Sequence, residues 1–229
     1  MVRVLCVIIG YFFGCFQTAF FYGKLKGIDI REHGSGNAGT TNTLRVLGTK
    51  AGLIVFAGDM LKSILAALLV KALFGSSYPE IKTLLVLYAG VGCVLGHNFP
   101  FYMKFKGGKG IATTGGLMIA LHWLYIPFGL LLFFGNFVIT HLVSLGSLLL
   151  YLGFFIQTVI MGGHGIFGMS KGNLIEMYVI VFLLMCMAFW KHRANIKRLV
   201  QGNERKTYLF MKKKMDAETN ASASGEESK

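Results

Sequence analysis

Charged residues are scarce in this sequence, and so are cysteines. Only 14% of the 229 residues are charged and 54% are hydrophobic, whereas soluble domains carry about 25% charged residues. This composition excludes an ordinary soluble domain and indicates an all-α, polytopic membrane protein. The cysteines stand singly in apolar runs, without a C-x-x-C pair, so we expect them to be packing residues. They are Cys6, Cys15, Cys93 and Cys186.

Carboxylates are also few. The sequence has three aspartates, Asp29, Asp59 and Asp216, and they lie far apart. No carboxylate cluster of the kind that holds a metal is present, so the sequence predicts no metal site. Asp59 and Lys62 lie three residues apart in an apolar run, and we interpret them as a structural ion pair within the helix bundle.

The spacing G-x-G-x-x-G occurs at residues 34 to 39, in "GSGNAGTTN". In nicotinamide and flavin enzymes this motif follows a β-strand and opens the helix of a βαβ unit. Here the flanking segments are apolar runs of about 20 residues, a length that matches a membrane-spanning helix rather than a strand. The flanks therefore exclude a dinucleotide-binding domain.

The net charge of +13 comes from basic residues that cluster beside the apolar runs. This placement is a topology signal rather than the basic, aromatic surface of a nucleic-acid-binding protein. The basic segments, which we expect to be cytoplasmic, are residues 24–52, 96–116 and 190–214.

The apolar runs between these segments predict the number of crossings. Runs at 4–23, 53–73 and 83–96 give three crossings, and the run at 174–190 must end in the cytoplasm. We interpret 111–160 as three short spans, which gives seven transmembrane helices with the N-terminus outside and the C-terminus cytoplasmic. Five helices, with part of 111–160 re-entrant or lying on the membrane surface, is the alternative. Residues 1–206 form one membrane domain, and 207–229 are a polar tail that we expect to be disordered.

The first basic segment contains "GSGNAGTTNTLRVLG", in which glycines alternate with small hydrogen-bond donors, including Ser35 and Asn37. Glycine-rich turns bring backbone N–H groups close to an anion, and a helix that begins near Thr41 would strengthen the site. Arg45, four residues into that helix, is positioned to bind a phosphate with two parallel hydrogen bonds. The alternative is a membrane loop with helix caps and a snorkelling arginine.

The second basic segment, "LGHNFPFYMKFKGGKGIATTGG", also predicts an anion site. It lacks the G-x-x-x-x-G-K-[ST] spacing, which excludes a nucleotide-triphosphate loop. A flexible cytoplasmic loop is the alternative, and a structural role for its histidine is as plausible as a catalytic one. The candidate residues are His97, Lys106, Gly107, Gly108, Lys109, Gly110 and Thr113.

The third basic segment contains "HRANIKRL", where His192 and Asn195 share one face if the helix continues. Taken alone, this pattern is also typical of a basic helix on anionic lipid headgroups.

The three segments together, in this order, closely resemble the bacterial membrane-integral acyl-phosphate:glycerol-3-phosphate acyltransferase family, the PlsY type. The resemblance covers about residues 8 to 206 and includes "DIREHGSGNAGTTNTLRVLG", "GDMLKS" and "HRANIKRL". It implies transfer of a fatty acyl group from acyl phosphate to the 1-hydroxyl of glycerol 3-phosphate, which gives lysophosphatidic acid. It also implies a bacterial inner-membrane protein with its site facing the cytoplasm and no cofactor. Handover from the soluble enzyme that makes acyl phosphate is one route of supply that the sequence leaves open.

By motif position, the resemblance implies two groups of substrate-binding residues. Those for glycerol 3-phosphate are Ser35, Arg45, Lys106, His192 and Asn195, and those for the acyl-phosphate head are Gly107, Gly108, Gly110 and Thr113. Asn37 and Lys109 stay candidates from their own segments.

The sequence departs from the commonest pattern of the family at two places. Gly14, Cys15, Phe16 and Gln17 stand where the family often has Gly-Ser-Ile-Pro, which puts the shape of the first helix in doubt. Ala194 stands where the family often has an acidic residue, so a local carboxylate is missing.

Two further points stay open from the sequence. His97 and His192 are both candidates for a general base, and the leaving phosphate is an alternative proton acceptor. No aspartate follows a histidine at the His-x4-Asp spacing of acyl-CoA-dependent acyltransferases. The alternative function is a transporter or channel for an anionic metabolite, since glycine-broken helices and basic midzones also build such sites.

Overall fold

A computed structural model describes residues 1–208, so the predicted disordered tail, apart from its first two residues, lies outside the described part of the chain. The regular secondary structure of the described residues is helical, without a strand, which confirms the all-α prediction. The α-helices are α1 Val2–Cys15, α2 Thr18–Leu25, α3 Thr40–Phe74, α4 Lys82–Asn98, α5 Ile111–Leu121, α6 Tyr125–Leu130, α7 Asn136–Thr140, α8 Val143–Gly163, α9 Lys171–Lys191 and α10 Arg193–Val200. A π-helical turn, Leu131–Gly135, joins α6 to α7.

Within residues 1–208, five helical segments are long and apolar enough to cross a membrane, by length and composition alone. They are Val2–Leu25, Thr40–Phe74, Pro79–Met103, Val143–Gly163 and Lys171–Lys191. Two shorter apolar segments, Ile111–Leu121 and Tyr125–Thr140, lie where short spans were predicted. Seven crossings require both short segments to span the bilayer, and that count stays a prediction.

The outer surface of the bundle is apolar, as expected for a protein in lipid. On α3, for example, Leu61, Leu65 and Leu68 are 54%, 45% and 53% exposed. Their spacing of four and three residues places them on one helix face, opposite the buried polar residues of the same helix.

Two breaks shape the helices near one end of the bundle. The first predicted span is interrupted between α1 and α2, where Phe16 and Gln17 have extended backbone conformations. The side-chain amide of Gln17 is fully buried and donates to the carbonyl of His97 at 2.9 Å. The second span is interrupted at Gly48, whose φ of 84° favours glycine. The helical turns that carry Arg45 are therefore set off from the long apolar part of α3.

Helices α1 and α4 pack through glycines on both sides. A Cβ atom added to Gly10 or Gly14 would lie 1.9 or 2.1 Å from a carbonyl oxygen of α4. A Cβ atom on Gly92 or Gly96 would lie 2.1 Å from a carbonyl oxygen of α1. The two backbones are thus in direct contact, which is the small-residue packing typical of membrane helices.

The Asp59–Lys62 pair confirms one prediction from the sequence, and the cysteines correct another. Lys62 Nζ lies 2.9 Å from Asp59 Oδ1, and both side chains are almost fully buried, so the predicted ion pair is confirmed. Three of the four cysteines are buried as expected, but Cys186 is exposed on α9. Its packing role was wrong, because that position faces away from the bundle.

Candidate active site

The loop between α2 and α3 is held by one buried side chain, Asn42. Its Oδ1 accepts hydrogen bonds from the backbone N–H and the hydroxyl of Ser35, at 2.7 and 3.1 Å. Its Nδ2 donates to the carbonyls of Ile30 and His33, at 3.0 and 2.9 Å. Gly34 has a φ of 64°, and a Cβ atom there would lie 2.3 Å from Asn42 Oδ1. Asn42 therefore fixes the position of Ser35.

Arg45 lies one turn after Asn42 and contacts the end of the described chain. Its Nη2 donates to the hydroxyl of Thr207 at 2.7 Å and to the carbonyl of Arg205 at 3.2 Å. Its Nε and Nη1 have no hydrogen-bond partner within residues 1–208, so part of the guanidinium fork is open to an anion.

The second basic segment folds back on the end of α4. The N–H groups of Gly107 and Gly108 donate to the carbonyls of Asn98 and His97, at 3.2 and 3.1 Å. A Cβ atom on Gly108 would lie 2.1 Å from Nε2 of His97. These two amides are therefore used inside the loop. Lys106, also in this loop, is exposed.

The segment turns into the site at Lys109 and Gly110, immediately before α5. Gly110 has a φ of 79°, and the first residues of α5 line the cavity described below. The first N–H groups of a helix lack partners within that helix and attract anions. Thr113 is fully buried, and its hydroxyl has no partner among the described residues.

The third segment supplies the opposite wall. His192 ends α9 and is buried, with Nδ1 2.8 Å from the carbonyl of Ala188. Because a carbonyl only accepts, Nδ1 carries the proton, and Nε2 of the neutral ring has a free lone pair. Burial, and then the nearby charge of Lys109, lowers the pKa of His192 to about 4. The ring is therefore neutral at pH 7.

Asn195 joins the second segment to the third. Its Oδ1 accepts a hydrogen bond from the ammonium of Lys109, and its Nδ2 donates to Glu204 at 2.7 Å. Glu204 also accepts from Arg198 at 2.7 Å and from Ser144 at 3.1 Å. Burial acts to raise the pKa of Glu204, but the hydrogen bonds from Asn195 and Arg198 lower it overall. The carboxylate stays charged and holds the three donors together.

These elements enclose one cavity of about 630 Å³. Six basic residues line it, Arg45, Lys109, Lys191, Arg193, Arg198 and Arg205, against two carboxylates, Asp59 and Glu204. The rest of its wall includes an apolar region formed by Leu53, Phe56, Phe133, Phe134 and Phe137. Burial lowers the pKa of Lys109 to about 8. The cavity thus combines a cationic part for anions with an apolar part for a hydrocarbon chain.

Most of the sequence-derived candidates lie at this cavity. Its lining includes Ser35, Asn37, Arg45, His97, Lys109, Gly110, His192 and Asn195. Lys106, Gly107, Gly108 and Thr113 do not line it. Gly107 and Gly108 contact the backbone of α4 instead, and the assigned substrate roles of all these residues stay predictions.

Sequence reasoning missed Ser144, Arg198 and Glu204, and it did not single out Asn42 within the first segment. One signal was present for Glu204, which is the only acidic residue in the basic segment 190–214. Its carboxylate accepts a hydrogen bond from Asn195, so the site has a nearby carboxylate although residue 194 is alanine.

Among residues 1–208, no group of three or more His, Cys, Asp and Glu side chains is placed to hold a metal ion. The absence of a metal stays a prediction from the sequence.

Comparisons with known proteins agree with this geometry. Residues 4–202 match the family described as "Glycerol-3-phosphate acyltransferase". A glycerol-3-phosphate acyltransferase of Bacillus subtilis (strain 168) is 42% identical over 207 residues, which cover 90% of this chain and 98% of that protein. One from Thermoanaerobacter sp. (strain X514) is 40% identical over 207 residues, covering 90% and 96%.

Two crystal structures of the integral membrane glycerol 3-phosphate acyltransferase PlsY (YgiH) are similar in fold. The glycerol 3-phosphate form superposes with a TM-score of 0.77 and 31% identity, over 91% of this chain and 96% of that one. The lysophosphatidic acid form gives 0.74 and 30%, over 90% and 95%. With likeness in sequence and fold over nearly its whole described length, this chain belongs to the glycerol-3-phosphate acyltransferase family.

Proposed function

We propose that this protein transfers a fatty acyl group from acyl phosphate to the 1-hydroxyl of glycerol 3-phosphate and so forms lysophosphatidic acid. The observation that carries the proposal is the cavity, in which six cationic side chains lie in the same space as an apolar wall. Relatives named as glycerol-3-phosphate acyltransferases, and PlsY in its glycerol 3-phosphate and lysophosphatidic acid forms, support the acceptor and the product.

The acceptor part lies between the first and third segments. Arg45 binds the phosphate of glycerol 3-phosphate with its free Nε–H and Nη1–H groups, and with a full two-donor edge once Nη2 releases Thr207 or Arg205. The Lys109 ammonium adds a charged donor on the same cavity, and the Ser35 hydroxyl adds a neutral one by turning from Asn42 Oδ1 to the phosphate when substrate binds. The Asn195–Glu204 contact keeps Lys109 in place.

The donor part begins at Gly110, which lines the cavity together with Ile111 and Ala112, the first two residues of α5. Their backbone N–H groups bind the phosphate of the acyl phosphate, and the apolar wall receives its hydrocarbon chain. Phe56 and Phe133 line both this cavity and an adjoining apolar pocket of about 90 Å³. The adjoining pocket extends the apolar surface available to the chain.

The reaction is an acyl transfer between two oxygens. The 1-hydroxyl oxygen bonds to the acyl carbon, the bond from that carbon to the phosphate oxygen breaks, and inorganic phosphate leaves. The hydroxyl proton passes to the leaving phosphate or to Nε2 of His192, which is unprotonated at pH 7. The protein contributes mainly by holding two anions together and the reacting atoms within about 3 to 3.5 Å.

We place the protein in the bacterial cell membrane with the cavity facing the cytoplasm. All three basic segments contribute residues to this one cavity, as expected for segments on the same side of the membrane. A cytoplasmic opening also allows handover of acyl phosphate from the soluble enzyme that makes it.

The test is acyl transfer by purified protein in lipid nanodiscs, with synthetic acyl phosphate and radiolabelled glycerol 3-phosphate. We expect radiolabelled lysophosphatidic acid with acyl phosphate and none with acyl-CoA alone. Appreciable turnover with acyl-CoA alone would reject the proposed donor. Uptake of radiolabelled glycerol 3-phosphate into proteoliposomes, without acylation, would favour the transporter instead.

A further inference from the structure

The ammonium of Lys62 is surrounded by hydrogen-bond acceptors. Nζ lies 2.9 Å from Asp59 Oδ1, 2.8 Å from the carbonyl of Phe16 and 3.3 Å from that of Gly14. It also lies 2.9 Å from Nδ1 of His97. A group with such neighbours is protonated, because the neutral amine would have to do without the carboxylate's ion pair.

This environment determines the proton position on His97. A lysine ammonium only donates, so Nδ1 of His97 accepts its hydrogen bond. Asp59 Oδ1 lies 3.6 Å from Nδ1, too far for a direct hydrogen bond that would place a proton there. The neutral ring therefore carries its proton on Nε2.

The other ring nitrogen of His97, Nε2, lies beside Gly108. His97 is only 4% exposed yet lines the cavity, and Nε2 has no hydrogen-bond partner within residues 1–208. A Cβ atom on Gly108 would lie 2.1 Å from Nε2. Gly108 therefore packs directly against Nε2, and a side chain at this position would clash with the ring.

We infer that His97 is a hydrogen-bond donor to substrate, and not a general base. Its Nε2–H binds an anionic oxygen in the cavity, either on a phosphate or on the acyl carbonyl as charge develops there. Asp59 and Lys62 are positioning residues that act through His97. The inference rests on the proposed acyl transfer for its substrate oxygen, but the proton position does not depend on it.

The proton position is testable without turnover. Full-length protein labelled with ¹⁵N-histidine is studied by NMR in nanodiscs, and the His97 signals are assigned by their loss in His97→Gln. We expect a protonated Nε2 and an unprotonated Nδ1 between pH 6 and 8, and loss of this fixed state in Lys62→Met. A proton on Nδ1, or an imidazolium, at pH 7 would overturn the inference.

Kinetics then test the donor role. Gln can place an N–H near the position of Nε2 but cannot act as a base, whereas Leu can do neither. We expect His97→Gln to keep kcat/KM within about tenfold of the unmutated protein and His97→Leu to lose about 10²-fold or more. The ratio of His97→Gln to unmutated activity should be constant with pH, since substrate ionisation cancels in the ratio.

Several controls separate the outcomes. His164→Gln makes the same change at an exposed histidine away from the cavity and should leave activity unchanged. In the His97 variants, a rise in KM for one substrate assigns the oxygen bound by Nε2–H to that substrate's phosphate. A fall in kcat assigns it to the acyl carbonyl. If folded His97→Gln is as inactive as His97→Leu, the donor role is wrong. If His97→Leu does not fold, the NMR measurement and the pH ratio decide.

Discussion

The side-chain amide of Asn195 donates a 2.7 Å hydrogen bond to Oε1 of Glu204. The oxygen of the same amide accepts from Lys109. A carboxylate accepts and an ammonium donates, so these partners leave the amide one orientation. The contact connects the loop before α5 to the segment after α10, and both border the cavity.

Exchanging the two partners tests this contact. Asn195→Asp replaces the donor with a second carboxylate that faces Glu204, so we expect kcat/KM to fall by at least about tenfold. In Asn195→Asp combined with Glu204→Gln, the new amide again donates across the contact, and part of the loss should be recovered. Equal activity of the single and double variants would show that the contact does not matter.

Arg45→Lys tests the phosphate fork. The substitution keeps the charge but loses the planar pair of donors, so we expect KM for glycerol 3-phosphate to rise about tenfold or more. The acyl-phosphate KM should change little. Thr207→Val is the matched control, because it removes only the hydrogen bond from Arg45 to the Thr207 hydroxyl. A similar rise in Thr207→Val would assign the effect to that contact instead.

The ionisation of Lys109 predicts an alkaline limit. Burial lowers its pKa to about 8, so the ammonium that binds an anion is present below that pH and is lost as the pH rises through it. We expect kcat/KM for glycerol 3-phosphate to decline above about pH 8. Lys109→Arg, whose guanidinium stays charged, should remove the decline. An unchanged pH profile in Lys109→Arg would exclude Lys109 as its source.

Gly108→Ala tests the packing of the second segment. The new Cβ atom would lie 2.1 Å from Nε2 of His97, and we expect activity to fall by about tenfold or more while the protein still inserts and purifies. Gly115→Ala is the control, since its Cβ atom would meet only Met60, at 3.9 Å. Full activity in Gly108→Ala would mean that the ring moves aside at little cost.

Cysteine labelling tests the sidedness of the membrane domain. Ser77 follows the far end of α3, and the part of α3 after Gly48 is about 39 Å long at about 1.5 Å per residue. In a variant without native cysteines, Ser77→Cys and Gln201→Cys should react from opposite sides of intact membranes. We choose Gln201 rather than the adjacent Gly202, because Gly202 has a φ of 70°, a backbone conformation in which a cysteine would be strained. Reaction from the same side would contradict the predicted odd number of crossings.

The sequence predicted well what depends on composition and local spacing. Apolar runs of membrane-spanning length gave the long helices, and the spacing of Asp59 and Lys62 gave their ion pair, because residues three apart share a helix face. Three separate basic segments also supplied most of the cavity's candidate residues. These features are encoded within a few turns of one helix or loop.

What depends on tertiary contact was not predictable in this way. Gly107 and Gly108 look like a phosphate loop in sequence, yet their N–H groups bond to the end of α4, which only the folded chain shows. Glu204 reaches Ser144, sixty residues away, and no local pattern connects them. The break between α1 and α2 was signalled by Phe16 and Gln17, but the contact of Gln17 with His97 was not.

The glycine contact between α1 and α4 carries a consequence for random mutagenesis. A methyl group added at Gly10 or Gly92 would force two main chains apart, because no flexible side chain lies between them to yield. Gln17 continues from α1 and bonds to the carbonyl of His97, so such a shift would reach the cavity. A screen for inactive variants should therefore recover substitutions at the glycine contact between α1 and α4, although these residues do not contact the substrate. Their distance from the cavity alone would predict no effect on activity.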